Sequence, residues 1–156
     1  MPLFQKTIIA KFLKTQNKDW VAQQYNIYKN HFLNPKVQQN IKASKEEEYQ
    51  EGFLDDLFVK VLGYTKKPQP NYNLESEKKN VTDSKKADGA IVIDGQTYGV
   101  IELKSTHTID LSKVEYQAFG YKNSHKNCSY VVVSNFEKLR FFIDDKTEFQ
   151  EFNLFQ

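Results

Sequence analysis

Asp88 and Glu102 stand fourteen positions apart, and Lys104 follows after one residue, in the pattern Ala87-Asp88 … Glu102-Leu103-Lys104. Two carboxylates can hold a hard divalent cation through their oxygens. A lysine beside them can orient or activate an attacking water and stabilise the charge that grows on phosphorus oxygens. Together they are what hydrolysis of a phosphodiester needs, provided the chain brings them together. The segment between them reads Gly-Ala-Ile-Val-Ile-Asp-Gly-Gln-Thr-Tyr-Gly-Val-Ile, which predicts a strand, an Asp94-Gly95 turn and a second strand. A hairpin lays the start of its first strand beside the end of its second, so Asp88 and Glu102 can share one ion.

The elements around this hairpin must complete the site. Ser44 followed three residues later by Glu47 forms a capping-box pattern that opens a helix. Its apolar face is Phe53, Leu54, Leu57, Phe58, Val61 and Leu62, and Gly63 ends it. Glu47 and Glu51 lie along one edge of that stripe, where acidic residues serve equally well as partners of the helix dipole. After the hairpin a helix is predicted over about Leu111 to Asn123, with Val114, Gln117, Ala118 and Tyr121 on one face. Strands follow at Ser129–Ser134, Leu139–Ile143 and Phe149–Phe152. Before the site, Leu3 to Lys42 reads as helices, with Asn17 placed to cap the second and Pro35 separating off a short third. Residues 65–84 carry Pro68 and Pro70 and lack periodicity, so they read as a long functional loop. The hairpin strands are nearly continuous apolar runs, which predicts a mixed α/β sheet covered on both faces.

A chain of 156 residues fits one compact domain, and 12 Phe with 9 Tyr predict an aromatic core. The net charge of +2 does not by itself announce a nucleic-acid partner. Its distribution says more: seven lysines between Lys60 and Lys86 face three acids, a local balance of +4 leading into Asp88. Such a stretch is either a solvated loop or a phosphate-facing surface. Cys128 is the single cysteine, which excludes an intrachain disulfide and reads as a buried thiol in an apolar strand. No apolar run approaches the roughly 18–20 residues that span a bilayer, and no secretory signal pattern opens the chain, so a cytoplasmic protein is expected. His31, His107 and His125 have no serine or cysteine partner in a recognisable motif, which disfavours a nucleophilic hydrolase.

Glu47, Ala87-Asp88, Glu102-Leu103-Lys104 and Gln117-x-x-x-Tyr121, in that order, resemble the PD-(D/E)XK nuclease superfamily in its Gln-x-x-x-Tyr branch. With Glu46-Glu47-Glu48-Tyr49-Gln50-Glu51-Gly52-Phe53-Leu54, Leu62-Gly63-Tyr64 and Ser134-Asn135-Phe136, the chain is similar over residues 45–145 to the N-terminal nuclease region of type IIG restriction-modification enzymes. The resemblance implies a restriction-endonuclease-like mixed sheet flanked by helices over residues 44–156, preceded by a helical extension over residues 1–43. It implies that Asp88, Glu102 and the main-chain carbonyl of Leu103 bind Mg²⁺, with Mn²⁺ as a substitute. By the same resemblance Lys104 is the catalytic lysine, and Glu47 completes the site from the first core helix, Glu48 and Glu51 being the other choices. Gln117 and Tyr121 would steady the site and contact the DNA backbone. The proline of the superfamily name is Ala87 here, which removes stiffness but no ligand.

Type IIG enzymes join this nuclease to methyltransferase and target-recognition regions, and neither an Asn-Pro-Pro-Tyr motif nor a glycine-rich cofactor loop occurs in these residues. An excised N-terminal domain is therefore expected, acting on DNA with those regions as partners in one polypeptide and dimerising transiently on it. The alternatives are a free-standing repair or recombination nuclease and a non-catalytic DNA-binding or interaction module that kept the fold.

Overall fold

The computed structural model describes residues 3–156; residues 1 and 2, where the expected helical extension begins, lie outside the described residues. Three helices come first: α1 (Lys6–Thr15), α2 (Lys18–Phe32) and α3 (Pro35–Ala43). Asn17 and Asn34 accept the amides of Trp20 and Lys36 and so cap α2 and α3, and Pro35 takes a first-turn position where its missing N–H leaves nothing unpaired. α1 buries no side chain. α2 and α3 send Phe32 and Ile41 into the core beneath the next helix, and Gln24 Nε2 donates to the carbonyls of Lys60 and Val61.

That next helix, α4 (Glu46–Phe53), does not begin with the expected capping box. The Ser44 hydroxyl donates backward to the Asn40 carbonyl, and its amide bonds the Ile41 carbonyl, so Ser44 closes α3 rather than opening α4. α4 continues without a break into a π-helical segment, Leu54–Val61. At its end the Leu62 amide reaches the Leu57 carbonyl and the Tyr64 amide reaches the Phe58 carbonyl, longer steps than the four residues of an α-helix. Gly63 at φ 83° ends the helix as expected. Phe53, Leu54, Leu57 and Phe58 are buried, whereas Leu62, expected on the same face, is half exposed because the wide turns carry it off a stripe spaced for 3.6 residues per turn.

The sheet has six strands in sequence order: β1 (Leu74–Lys79), β2 (Lys86–Ile93), β3 (Gln96–Leu103), β4 (Tyr130–Ser134), β5 (Lys138–Ile143) and β6 (Gln150–Asn153). Neighbours are antiparallel except β3 and β4, which run parallel across a crossover through α5 (Ser112–Asn123). β1 corrects the reading of residues 65–84 as loop throughout. It is an edge strand, Leu-Glu-Ser-Glu-Lys-Lys, whose charged residues suit an unpaired edge and erase the apolar alternation that announces a strand. Asp94 and Gly95 have φ of 50° and 79°, the left-handed pair that a tight hairpin turn demands.

Two cores sandwich the sheet. Phe53, Leu54, Leu57 and Phe58 pack on Ile101, Leu103 and Val132, while Val114, Ala118 and Tyr121 of α5 pack with Val100, Val131 and Val133. Alternate residues of β3 and β4 thus feed opposite cores, as side chains of period two must. At Gly89 the helix approaches the sheet closely: a Cβ there would lie 3.2 Å from both Leu54 Cδ2 and Ile101 Cδ1. Among the described residues no helix is long and apolar enough to cross a membrane.

Candidate active site

Hairpin register builds the centre. Gly89 pairs with Ile101, so the next residues outward, Asp88 and Glu102, come side by side where β2 and β3 open. The Leu103 amide donates to Asp88 Oδ2 at 2.7 Å, which fixes that carboxylate and leaves Oδ1 toward the centre, 3.4 Å from Gln50 Nε2. Glu102 is buried, at 3% exposure, and its Oε2 has no hydrogen-bond partner. Lys104 Nζ lies 3.8 Å from Glu102 Oε1 and 3.6 Å from Glu46 Oε1. Gln50 Nε2 donates to Glu46 Oε1 at 2.9 Å. Asp88, Gln50, Glu46, Lys104 and Glu102 therefore close a ring.

Charge in this ring is under tension. Burial and the adjacent charge of Asp88 push the Glu102 carboxyl up to about 8, with Glu46 adding and Lys104 opposing. Asp88 is raised as well, chiefly by burial and then by Glu46, against the Leu103 amide and Lys104. Two acids that resist ionising together, one with an orphaned buried oxygen, form a place where a cation would relieve both.

The structure brings Asp88, Glu102 and Lys104 together, but the acid that α4 supplies is Glu46, not Glu47. Glu47 and Glu48 are exposed. The reason lies in the rows of the helix. Glu46, Gln50 and Leu54 form one i, i+4, i+8 row, which docks on Gly89 and Asp88. Glu47, Glu51 and Asp55 form the neighbouring row, and its last two members pair with Lys66 at 3.1 and 2.6 Å instead. The sequence motifs give Gln50 no role of its own, although it stands one four-residue helical step from Glu46.

From α5, Tyr121 is buried and accepts a 2.8 Å hydrogen bond from Gln117 Nε2. Burial raises its phenol; the Gln117 bond opposes this, and the charges of Glu102 and Asp88 add to it. Beside this pair opens a cleft of about 1030 Å³ lined by Lys85, Lys86, Tyr116 and Lys146, together with Asp83, Asp144 and Asp145. Four of the other five lysines of the basic stretch are paired: Lys60 with Asp56, Lys66 with Glu51 and Asp55, and Lys67 and Lys78 with Glu75; the fifth, Lys79, is exposed. His107 is exposed in a loop, its Nδ1 3.2 Å from Ser105 Oγ.

Among the described residues no cluster of three His, Cys, Asp or Glu side chains could hold a metal alone. Mg²⁺ does not require one, since it is commonly held by one or two carboxylates, with waters and substrate phosphates filling its octahedron. Asp88 Oδ1 and the orphaned Glu102 Oε2 fit that demand.

The family model for the N-terminal domain of MmeI matches residues 31–155. The chain belongs to the MmeI N-terminal domain family. Its helical start, residues 3–30, precedes the matched segment. A cryo-EM structure of a DrdV–DNA complex shares the fold at a TM-score of 0.51 and 12% identity, over 88% of this chain and 12% of that one. This MmeI-type domain thus has the restriction-endonuclease-like fold and is a restriction-enzyme nuclease-like domain, spanning about an eighth of the length of DrdV. No curated protein matches it in sequence.

Proposed function

We propose that this domain is a metal-dependent endonuclease that hydrolyses DNA phosphodiester bonds, the cleavage module of a type IIG restriction-modification enzyme. One observation carries the reading: Asp88, Glu102 and Lys104 converge at the open end of a hairpin around a buried carboxylate oxygen without a partner. Asp88, Glu102 and the main-chain carbonyl of Leu103 would hold Mg²⁺ or Mn²⁺. A bound divalent cation supplies Lewis acidity at the phosphate and a lowered pKa for its water.

The chain's own residues do the rest. Lys104 stands at the rim of the carboxylate pair, where its ammonium can orient the attacking water and meet the charge that builds on the phosphate oxygens. Glu46, drawn to both Lys104 and Gln50, keeps that ammonium at the rim. Tyr121 and Gln117 form the wall between the carboxylates and the lysine-lined cleft, where the DNA backbone would pass. DrdV was solved on DNA, which supports the same partner here. The methyltransferase and target-recognition functions would belong to other regions of the longer polypeptide.

The test is cleavage of duplex DNA by the full-length enzyme carrying this domain, with Mg²⁺ or Mn²⁺. Asp88→Ala and Glu102→Ala abolish cutting and divalent binding together, whereas Lys104→Ala abolishes cutting and keeps divalent binding. An Asp88→Ala enzyme that cuts as well as its parent would overturn the assignment.

A further inference from the structure

Gln50 has no role assigned to it by the sequence motifs, yet it is the one member of the ring whose side chain cannot ionise. Its Nε2 stands between Glu46 Oε1 at 2.9 Å and Asp88 Oδ1 at 3.4 Å. It is half-buried on the row that docks α4 against β2. An amide nitrogen carries donors only, so it offers both carboxylates a hydrogen bond and offers a cation nothing. Glu46 is held on its other side by Lys104 at 3.6 Å. Its Oε1 therefore already faces two donors, while Glu102 Oε2 faces none. The carboxylate oxygens of this centre are thus divided: one side is satisfied by the protein's own donors, the other is left open.

We infer that Gln50 is a positioning residue which orients Asp88 for the divalent ion and, by filling the space between Glu46 and Asp88, confines the centre to one ion. This rests on the nuclease reading above and adds to it a stoichiometry and a residue responsible for it. Partners that orient a metal-binding carboxylate commonly contribute about 10–100-fold to metal affinity. Removing the Gln50 amide without adding charge should cost affinity in that range. Replacing it with a carboxylate should convert the satisfied side into a second site, because Glu46, Asp88 and the new side chain would then present oxygens to one point with no donor between them.

The experiment is Mn²⁺ binding to the purified chain without DNA, by calorimetry for affinity and by electron paramagnetic resonance for the number and proximity of bound ions. The proteins are wild type, Gln50→Leu and Gln50→Glu, each checked by thermal melting. Wild type is expected to bind one Mn²⁺ per chain, and Gln50→Leu one, more weakly by about 10-fold or more. Gln50→Glu is expected to bind two, with the spectral broadening of a coupled pair. Two ions on wild type, unchanged affinity in Gln50→Leu, or a single ion on Gln50→Glu would each overturn the inference while leaving the nuclease reading intact. If Gln50→Leu fails to fold, the ion count on wild type and Gln50→Glu still decides. Wild type that binds no Mn²⁺, and melts identically with and without it, overturns the nuclease reading itself.

Discussion

Glu102→Gln removes a buried carboxyl that resists ionising beside Asp88 and should stabilise the metal-free chain at alkaline pH. The Glu102 carboxyl rises from an ordinary 4.5 to about 8 in the fold, through burial and then through Asp88. A folded state that holds a proton more tightly than the unfolded chain is favoured while that proton is present. The contribution is complete below about pH 4.5 and is lost as pH climbs through about 8. Between pH 5 and pH 8 wild type should therefore lose about 3 kcal/mol from this one group. For a domain of this size that is a fall of about 6–12 °C in melting temperature. A glutamine keeps the shape, carries no charge to repel Asp88 and has no proton to lose.

Thermal melting at pH 5 and pH 8, with chelator and then with Mg²⁺, reads this out. At pH 5 the two proteins should melt close together; at pH 8 with chelator the variant should melt higher. Mg²⁺ should raise wild type at pH 8, since a ligand at 100 times its dissociation constant adds about 2.7 kcal/mol. It should do little for the variant, which has lost an anionic ligand. A variant that melts below wild type at pH 8, or whose stability falls with pH as steeply as its parent's, would refute the claim that Glu102 is an unrelieved buried acid.

Three further outcomes are expected. Removing Lys85 and Lys86 together should reduce the slope of log affinity against log salt for duplex DNA by about 1.8, at roughly 0.9 per phosphate contact; an unchanged slope in a binding titration would move the DNA away from this cleft. Gln117→Ala and Tyr121→Ala should lower single-turnover cleavage far more than DNA affinity, because the pair borders the carboxylates rather than the approach. Asp56→Ala should cost about 2 kcal/mol at neutral pH: burial alone would raise this carboxyl, but hydrogen bonds from His31, Tyr49 and Lys60 hold it at about 2, so its contribution is present above about pH 3.8 and vanishes as pH falls toward 2. Urea melts at pH 7 and pH 2.5 measure that difference.

The two halves of the site differ in how far a sequence can reveal them, and the difference is one of range. Asp88 and Glu102 bracket a turn whose left-handed residues are written locally as Asp94-Gly95, so a hairpin and the nearness of its two ends follow from the sequence. The turn's own register would set Asp88 opposite Ile101; a bulge after Ile91 shifts the pairing by one residue and sets Asp88 beside Glu102 instead. Gln117 and Tyr121 are likewise related by a single helical step. The helical half carries no such local rule. Whether Glu46 or Glu47 faces the sheet depends on where α4 starts and on which row of it docks. The start was obscured because Ser44 spends its hydroxyl on Asn40, in the helix behind it. The docking is decided by Leu54 seating on Gly89, a contact between residues 35 positions apart, and by a π-helical continuation that a 3.6-residue period cannot register. β1 was hidden for a related reason: its place at the edge of the sheet is a tertiary fact, and the charges that protect the edge remove the pattern by which a strand is recognised. The acid from α4 is thus legible only once helix and hairpin are packed together, and the same packing brings Gln50 into the ring.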